Sequence, residues 1–189
     1  MHPDTTSVLP PVDPQSGVLV GPRPDPGLTV VPWLLAAADD PQRARKEWDG
    51  GGIALLRCGV SFTAIRLTAG LVQAAADTTD VRDVDAYLGQ TLLGGPVFAD
   101  TRWGLYYLLV PEGTDRLPTR GHGSEDAACL GPNSYLGVPD PTHTTPGAGF
   151  SYWCVAPHDS GTLCSPEAVA RLLTDGRCRL TAAEADTNA

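Results

Sequence analysis

The sequence predicts an α+β fold: an antiparallel or mixed sheet built from hairpins, with helices packed on one face. Three observations lead there. Short apolar or alternating runs recur along the chain, each bounded by Gly, Pro or polar turn residues. Capped helical segments fall between and around them. The 189 residues are enough to bury a proper core, while 21 Gly and 18 Pro assign much of the length to loops. One domain over residues 28–180 is expected, between an irregular Pro-rich arm (1–27) and a frayed tail (181–189).

The elements follow in order. P-P-V-D-P and G-P-R-P-D-P-G in the arm sustain neither a helix nor a central strand. The apolar run Leu28–Ala38 is divided by Pro32, and its first half reads as a short edge strand. Asp40 and Pro41 supply a helix cap and a first helical residue, predicting a short helix through Glu47 that delivers Trp48 to the core. The glycine cluster Gly50–Gly52 then opens Ile53–Leu56, short enough for a buried strand. Arg57-Cys58-Gly59 makes a turn, and Phe62–Leu67 alternates as a second strand. These two strands read as a hairpin at the centre of the sheet.

Thr68 caps a helix through Ala76, and Thr79 or Asp80 caps a second. In the latter, Val81, Val84 and Leu88 share a face and Gly89 stands where a C-terminal glycine would. Pro96–Ala99 and Leu105–Val110 make a further hairpin around the loop Asp100–Gly104. Glu112–Pro132 is a long polar loop, a length that points to a functional or mobile segment. Ser134–Val138 and Phe150–Val155 are the last strands. Ser165-Pro166-Glu167 opens a final helix with the stripe Val169, Leu172 and Leu173, ended by Asp175-Gly176.

Formal net charge is −9 and the pI is about 4.7. Affinity for a phosphate backbone comes mostly from Lys and Arg, so composition argues against general nucleic-acid binding. It leaves room for a local basic groove. The start of the chain has no apolar secretory core, and no run reaches 18 apolar residues, so a cytoplasmic protein without a membrane span is expected. Five cysteines, an odd number, then read as small buried thiols in a reducing compartment.

The order of motifs resembles a known family. A Trp before a glycine turn (Trp48, Gly50–Gly52), then G-I-A-L-L-R-C-G and a strand, resembles the start of the N-terminal primase–polymerase domain of the archaeo-eukaryotic primase superfamily. That domain is common in bacterial mobile-element and actinobacterial proteins. T-R-W-G-L-Y-Y-L-L-V-P (101–111) and N-S-Y-L-G-V-P (133–139) stand where its second and third elements would, and the resemblance covers about Trp33 to Pro157. It implies a replication-linked domain that transfers nucleotides with Mg²⁺ or Mn²⁺. The departures are informative. The family's acidic pair should fall on Phe62–Leu67, which reads F-T-A-I-R-L, without a carboxylate. Arg66 stands near a metal ligand's place, and a guanidinium repels a divalent cation. The nucleotide-facing histidine of the second element is also missing, since Gly104 runs directly into Leu105-Tyr106. The expectation is a catalytically degenerate domain with no resident cofactor and a binding or accessory role, taking a protein partner or a nucleotide-like ligand. The alternatives are an active but divergent enzyme using Asp100 and Asp126, and an unrelated protein-interaction module.

Candidate residues follow from this. Arg57, Arg66 and Arg102 would converge on one face if both hairpins align as in that family, giving a phosphate or nucleic-acid contact with Tyr106; otherwise the arginines pair with surface carboxylates. The strand aromatics Tyr106, Tyr107, Tyr135, Tyr152 and Trp153 either stack on bases or pack the sheet. Asp100 is either a replacement metal ligand or a turn cap. Cys154, His158 and Cys164 form C-x₃-H-x₅-C, which lacks the tight C-x₂-C of many zinc sites; buried thiols and a surface histidine are the other reading. His122, with Glu125 and Asp126, reads as part of a solvated loop, with an acid–base role as the alternative. Ser124 lacks the strand–turn–helix setting of a nucleophile.

Overall fold

A computed structural model describes residues 26–114, 126–147 and 149–187. Among them the order is α1 (Pro26–Leu35), α2 (Pro41–Gly51), β1 (Ile53–Arg57), β2 (Thr63–Thr68), α3 (Ala69–Ala76), α4 (Val81–Thr91), β3 (Val97–Asp100), β4 (Leu105–Val110), β5 (Ala127–Leu130), β6 (Tyr135–Pro139), β7 (Ser151–Val155) and α5 (Pro166–Thr187). The fold is α+β, with every strand pairing antiparallel.

Local chemistry sets the helix starts. The Asp40 carboxylate accepts from the Gln42 and Arg43 amides, and Asp80 does the same for Arg82 and Asp83. Thr68 Oγ1 accepts from Leu71 N at 3.4 Å. Asp80, rather than Thr79, is therefore the cap of α4.

The strands form a five-stranded sheet, ordered β5-β2-β4-β3-β7, and a separate two-stranded sheet of β1 and β6. Alternation divides the larger sheet into two faces. Ile65, Leu67, Val97, Ala99, Leu108 and Val110 face a core shared with α3, α4 and α5, the helix-covered face that the sequence predicts. Phe62, Ala64, Phe98, Leu109 and Trp153 face a second core, closed by Ala54 and Leu56 of β1, Leu136 and Val138 of β6, and α1 and α2. The β3–β4 hairpin forms as expected, with Phe98 opposite Tyr107.

Several expectations are corrected. β1 and β2 are not a hairpin: β1 pairs only with β6, and β2 lies between β5 and β4. The Gly59 turn carries the chain from one sheet to the other, so the strands meet through their buried faces. Gly59 has φ +87°, and a Cβ there would come 2.9 Å from Pro132 Cα, so a side chain is excluded twice over. Leu28–Val31 is helical, not an edge strand. β-Branched residues cost a few tenths of a kcal/mol each in a helix. Burying Val30 and Leu34 on one helical face returns about 2 kcal/mol apiece. α2 passes Glu47 and contains Trp48, Gly50 and Gly51; only Gly52, at φ +72°, makes the exit.

Gly89 does not end α4, which runs to Thr91, and Val81 is exposed rather than on the buried face. The left-handed exit falls on Leu93 and Gly94 instead. The long polar loop contains β5, whose four apolar residues are too few for a period to show. Gly176 does not end α5, and the tail from Thr181 is helical through Thr187. Gly176 is there for contact: a Cβ would lie 2.7 Å from the Leu71 carbonyl oxygen of α3. The arm, apart from its last two residues, lies outside the described residues.

Candidate functional site

β2 and β4 pair with Arg66 opposite Tyr107, and on the other side of β2 Arg66 meets Ala128. Strand parity puts Arg66 and Tyr107 on the face that carries Ala64, Phe98 and Trp153. Tyr107 stacks on Phe98, with centroids 5.0 Å apart, and Phe98 meets Trp153 edge-on at 5.2 Å. An aromatic row thus crosses β4, β3 and β7. The Trp153 indole N–H donates to the Pro139 and Asp140 carbonyls, fixing its far end.

The second core covers Ala64, Leu109, Phe98 and Trp153 and stops short of Arg66, which stays half-buried. Arg66 makes no salt bridge among the described residues. Burial raises the Tyr107 pKa, the Asp100 charge raises it further and Arg66 opposes the rise. Tyr107 therefore feels a cation and an anion together. Asp100 caps its turn, its Oδ1 accepting from the Arg102 and Trp103 amides at 3.0 and 3.3 Å. What this face offers is a half-buried guanidinium beside a half-buried phenol, with Phe98 and Trp153 closed beneath the second core, a pair that suits an anionic group.

The other predicted residues are dispersed. Arg57 lies on the outer face of the two-stranded sheet, 4.0 Å from Asp39, whose carboxylate also accepts from Tyr135 Oη at 2.6 Å. That bond is the leading cause of the raised Tyr135 pKa. Arg57 and Arg66 consequently do not converge. Tyr106 occupies the opposite face of β4 from Arg66, 7% exposed beneath the helices, and burial pushes its pKa to about 12. Tyr107, one residue on, is the tyrosine that faces Arg66. Nothing in L-Y-Y-L-L-V signals this choice, because the strand is apolar on both faces.

Arg102 sits in the β3–β4 turn against two rings, 5.7 Å from the Trp103 centroid and 5.6 Å from that of Phe150. Trp103 and Phe150 had no place in the sequence-based site, since only the fold brings residue 150 to this turn.

Cys154, His158 and Cys164 do not gather into a site. Cys154 bonds to Asp85, His158 is exposed, and Cys164 is buried with Sγ 3.5 Å from the Pro96 carbonyl oxygen. Burial raises the pKa of both thiols, Cys164 to about 12. Among the described residues no three His, Cys, Asp or Glu side chains are grouped to hold a metal ion. Asp126 is engaged by Arg177 of α5 through two bonds of 2.8 and 2.9 Å, which removes it as a free carboxylate to act with Asp100. His122, Ser124 and Glu125 lie outside the described residues.

No family model, curated protein or solved structure matches this chain.

Proposed function

We propose that this chain is a primase–polymerase-like domain that binds rather than polymerises, serving an accessory role linked to DNA replication or mobile elements. The observation that carries the reading is Arg66. The resembled family needs metal-binding carboxylates on this strand. Here a half-buried guanidinium beside Tyr107 occupies the strand instead, unpaired by any carboxylate of the described residues. Such a face favours a phosphate-bearing, nucleotide-like ligand and repels the Mg²⁺ or Mn²⁺ that nucleotidyl transfer requires. The acidic composition suits a small ligand or a protein partner better than bulk DNA, and its cysteine usage fits a cytoplasmic setting.

Calorimetric titration of ATP into the purified protein, with and without Mn²⁺, tests this. Binding is expected without metal, unimproved by Mn²⁺. It should weaken at least about tenfold in Arg66→Ala, the scale of one charge-assisted hydrogen bond. Template-dependent nucleotide incorporation by highly purified protein would sink the reading. The absence of any ATP heat would remove its nucleotide part.

A further inference from the structure

Two rings stand in water at one corner, Trp103 in the β3–β4 turn and Phe150 just before β7. Trp103 is 71% and Phe150 67% exposed. The backbone around them is well tied. Asp100 Oδ1 accepts from the Arg102 and Trp103 amides, while Thr101 donates to the Phe150 carbonyl through its N–H (2.9 Å) and its hydroxyl (3.1 Å). β3 meets β7 immediately alongside, Asp100 opposite Ser151. The rings therefore project from a braced corner where two chain segments are joined, rather than from a single free loop.

Arg102 is held against both rings. Cation–π contact within about 6 Å of a centroid orients a guanidinium, so less side-chain entropy remains to be lost when it binds. Its charge has no salt-bridge partner among the described residues, although the chain carries 22 Asp and Glu against 13 Lys and Arg. The guanidinium fork thus remains open to an outside acceptor. Trp and Arg are the residue types in which interface energy concentrates.

The choice of occupant follows from charge. A nucleic-acid strand needs several cations along its backbone, and this chain has a net charge of −9. A short peptide needs only one carboxylate on the fork and one apolar side chain on the rings. We propose that the Trp103–Arg102–Phe150 stack docks a short segment of a partner protein that carries one carboxylate beside an apolar side chain. This stands independently of the nucleotide reading, because it uses neither Arg66 nor Tyr107.

Selection of a phage-displayed library of random dodecapeptides on the full-length chain tests it, with the enriched peptide then synthesised and titrated by fluorescence polarisation. The expected consensus places Asp or Glu beside a Leu, Phe or Trp. Arg102→Ala should weaken the peptide at least about tenfold, the loss of a bidentate charged contact. Arg102→Lys should weaken it too, since an ammonium has no fork. Both variants should melt with the parent, because the side chain is exposed. No enrichment, a consensus without acids, or a peptide indifferent to Arg102→Ala would overturn the proposal. So would displacement of the peptide by single-stranded DNA at comparable concentration, or self-association that consumes this corner in sedimentation experiments.

Discussion

The two faces of the five-stranded sheet are closed in different ways. On the helix face, three helices bury Ile65, Leu67, Leu108 and Val110 completely, and α3 and α5 approach until only a glycine fits between them. Polar groups there are spent on each other: Asp126 on Arg177, Asp85 on Tyr152. On the opposite face, two short strands and two helices cover Ala64, Phe98, Leu109 and Trp153, and Arg66 and Tyr107 stay half-buried at the edge of that cover. A closed face is a structural asset with no solvent access. An incompletely closed one keeps polar groups available to a ligand, as Arg66 and Tyr107 are on the second face.

The contrast breaks most easily at Asp126, the polar tie of the closed face. Asp126→Ala leaves Arg177, 23% exposed, without its bidentate partner. Removing one member of a largely buried pair costs about 3 kcal/mol. Urea denaturation should show this loss, while ATP titration of the still-folded protein should match the parent. An ATP defect without a stability defect would mean that the two faces are not separate in function.

Glycine substitutions sharpen the contrast. At Gly176 a methyl group would lie 2.7 Å from the Leu71 carbonyl oxygen and 2.8 Å from its Cδ1, so α5 must move; Gly176→Ala should cost about 2 kcal/mol despite its better helix propensity. At Gly50, in exposed α2, a methyl group meets nothing within 4 Å, and Gly50→Ala should stabilise by about 0.5–1 kcal/mol. Thermal melts of the two variants should move in opposite directions. A gain at both positions would mean that the α3–α5 contact is loose enough to admit a methyl group.

These two glycines also mark what a sequence can reveal. The caps Asp40, Thr68 and Asp80 and the β3–β4 hairpin are legible because each is settled within a few residues. Whether a glycine ends a helix or admits a neighbour is settled by residues a hundred positions away. The same holds for β1 and β2. Their spacing suits a hairpin, and the preference of β1 for β6 depends on a strand some 80 residues later. β5 is invisible because A-A-C-L is too short to carry a period. At the site, Arg66 is legible as a misfit to the resembled motif. Its neighbour Tyr107 is not, since pairing register alone decides which of two adjacent tyrosines turns towards it.

The smallest expected effect concerns the one acidic side chain of α4 that turns inward. Asp85 accepts from Tyr152 Oη at 3.2 Å and is bonded to Cys154. Burial raises its pKa, and those two bonds only partly oppose the rise. The folded state therefore prefers the protonated carboxyl. Asp85's contribution to stability is present below the unfolded value, about pH 4, and is lost as pH rises through the higher folded value. Glu167 behaves oppositely: the Ser165 hydroxyl lowers its pKa, so its contribution is present above the unfolded value and fades on acidification. Asp85→Asn keeps the shape and cannot ionise. The stability of this variant relative to the parent should rise as pH increases from about 4, and then level off once the parent's carboxyl is fully charged. Urea midpoints measured on both proteins across that range would show it. A difference that stays constant with pH would mean that the carboxyl is as well solvated folded as unfolded, and that the closed face is open at α4.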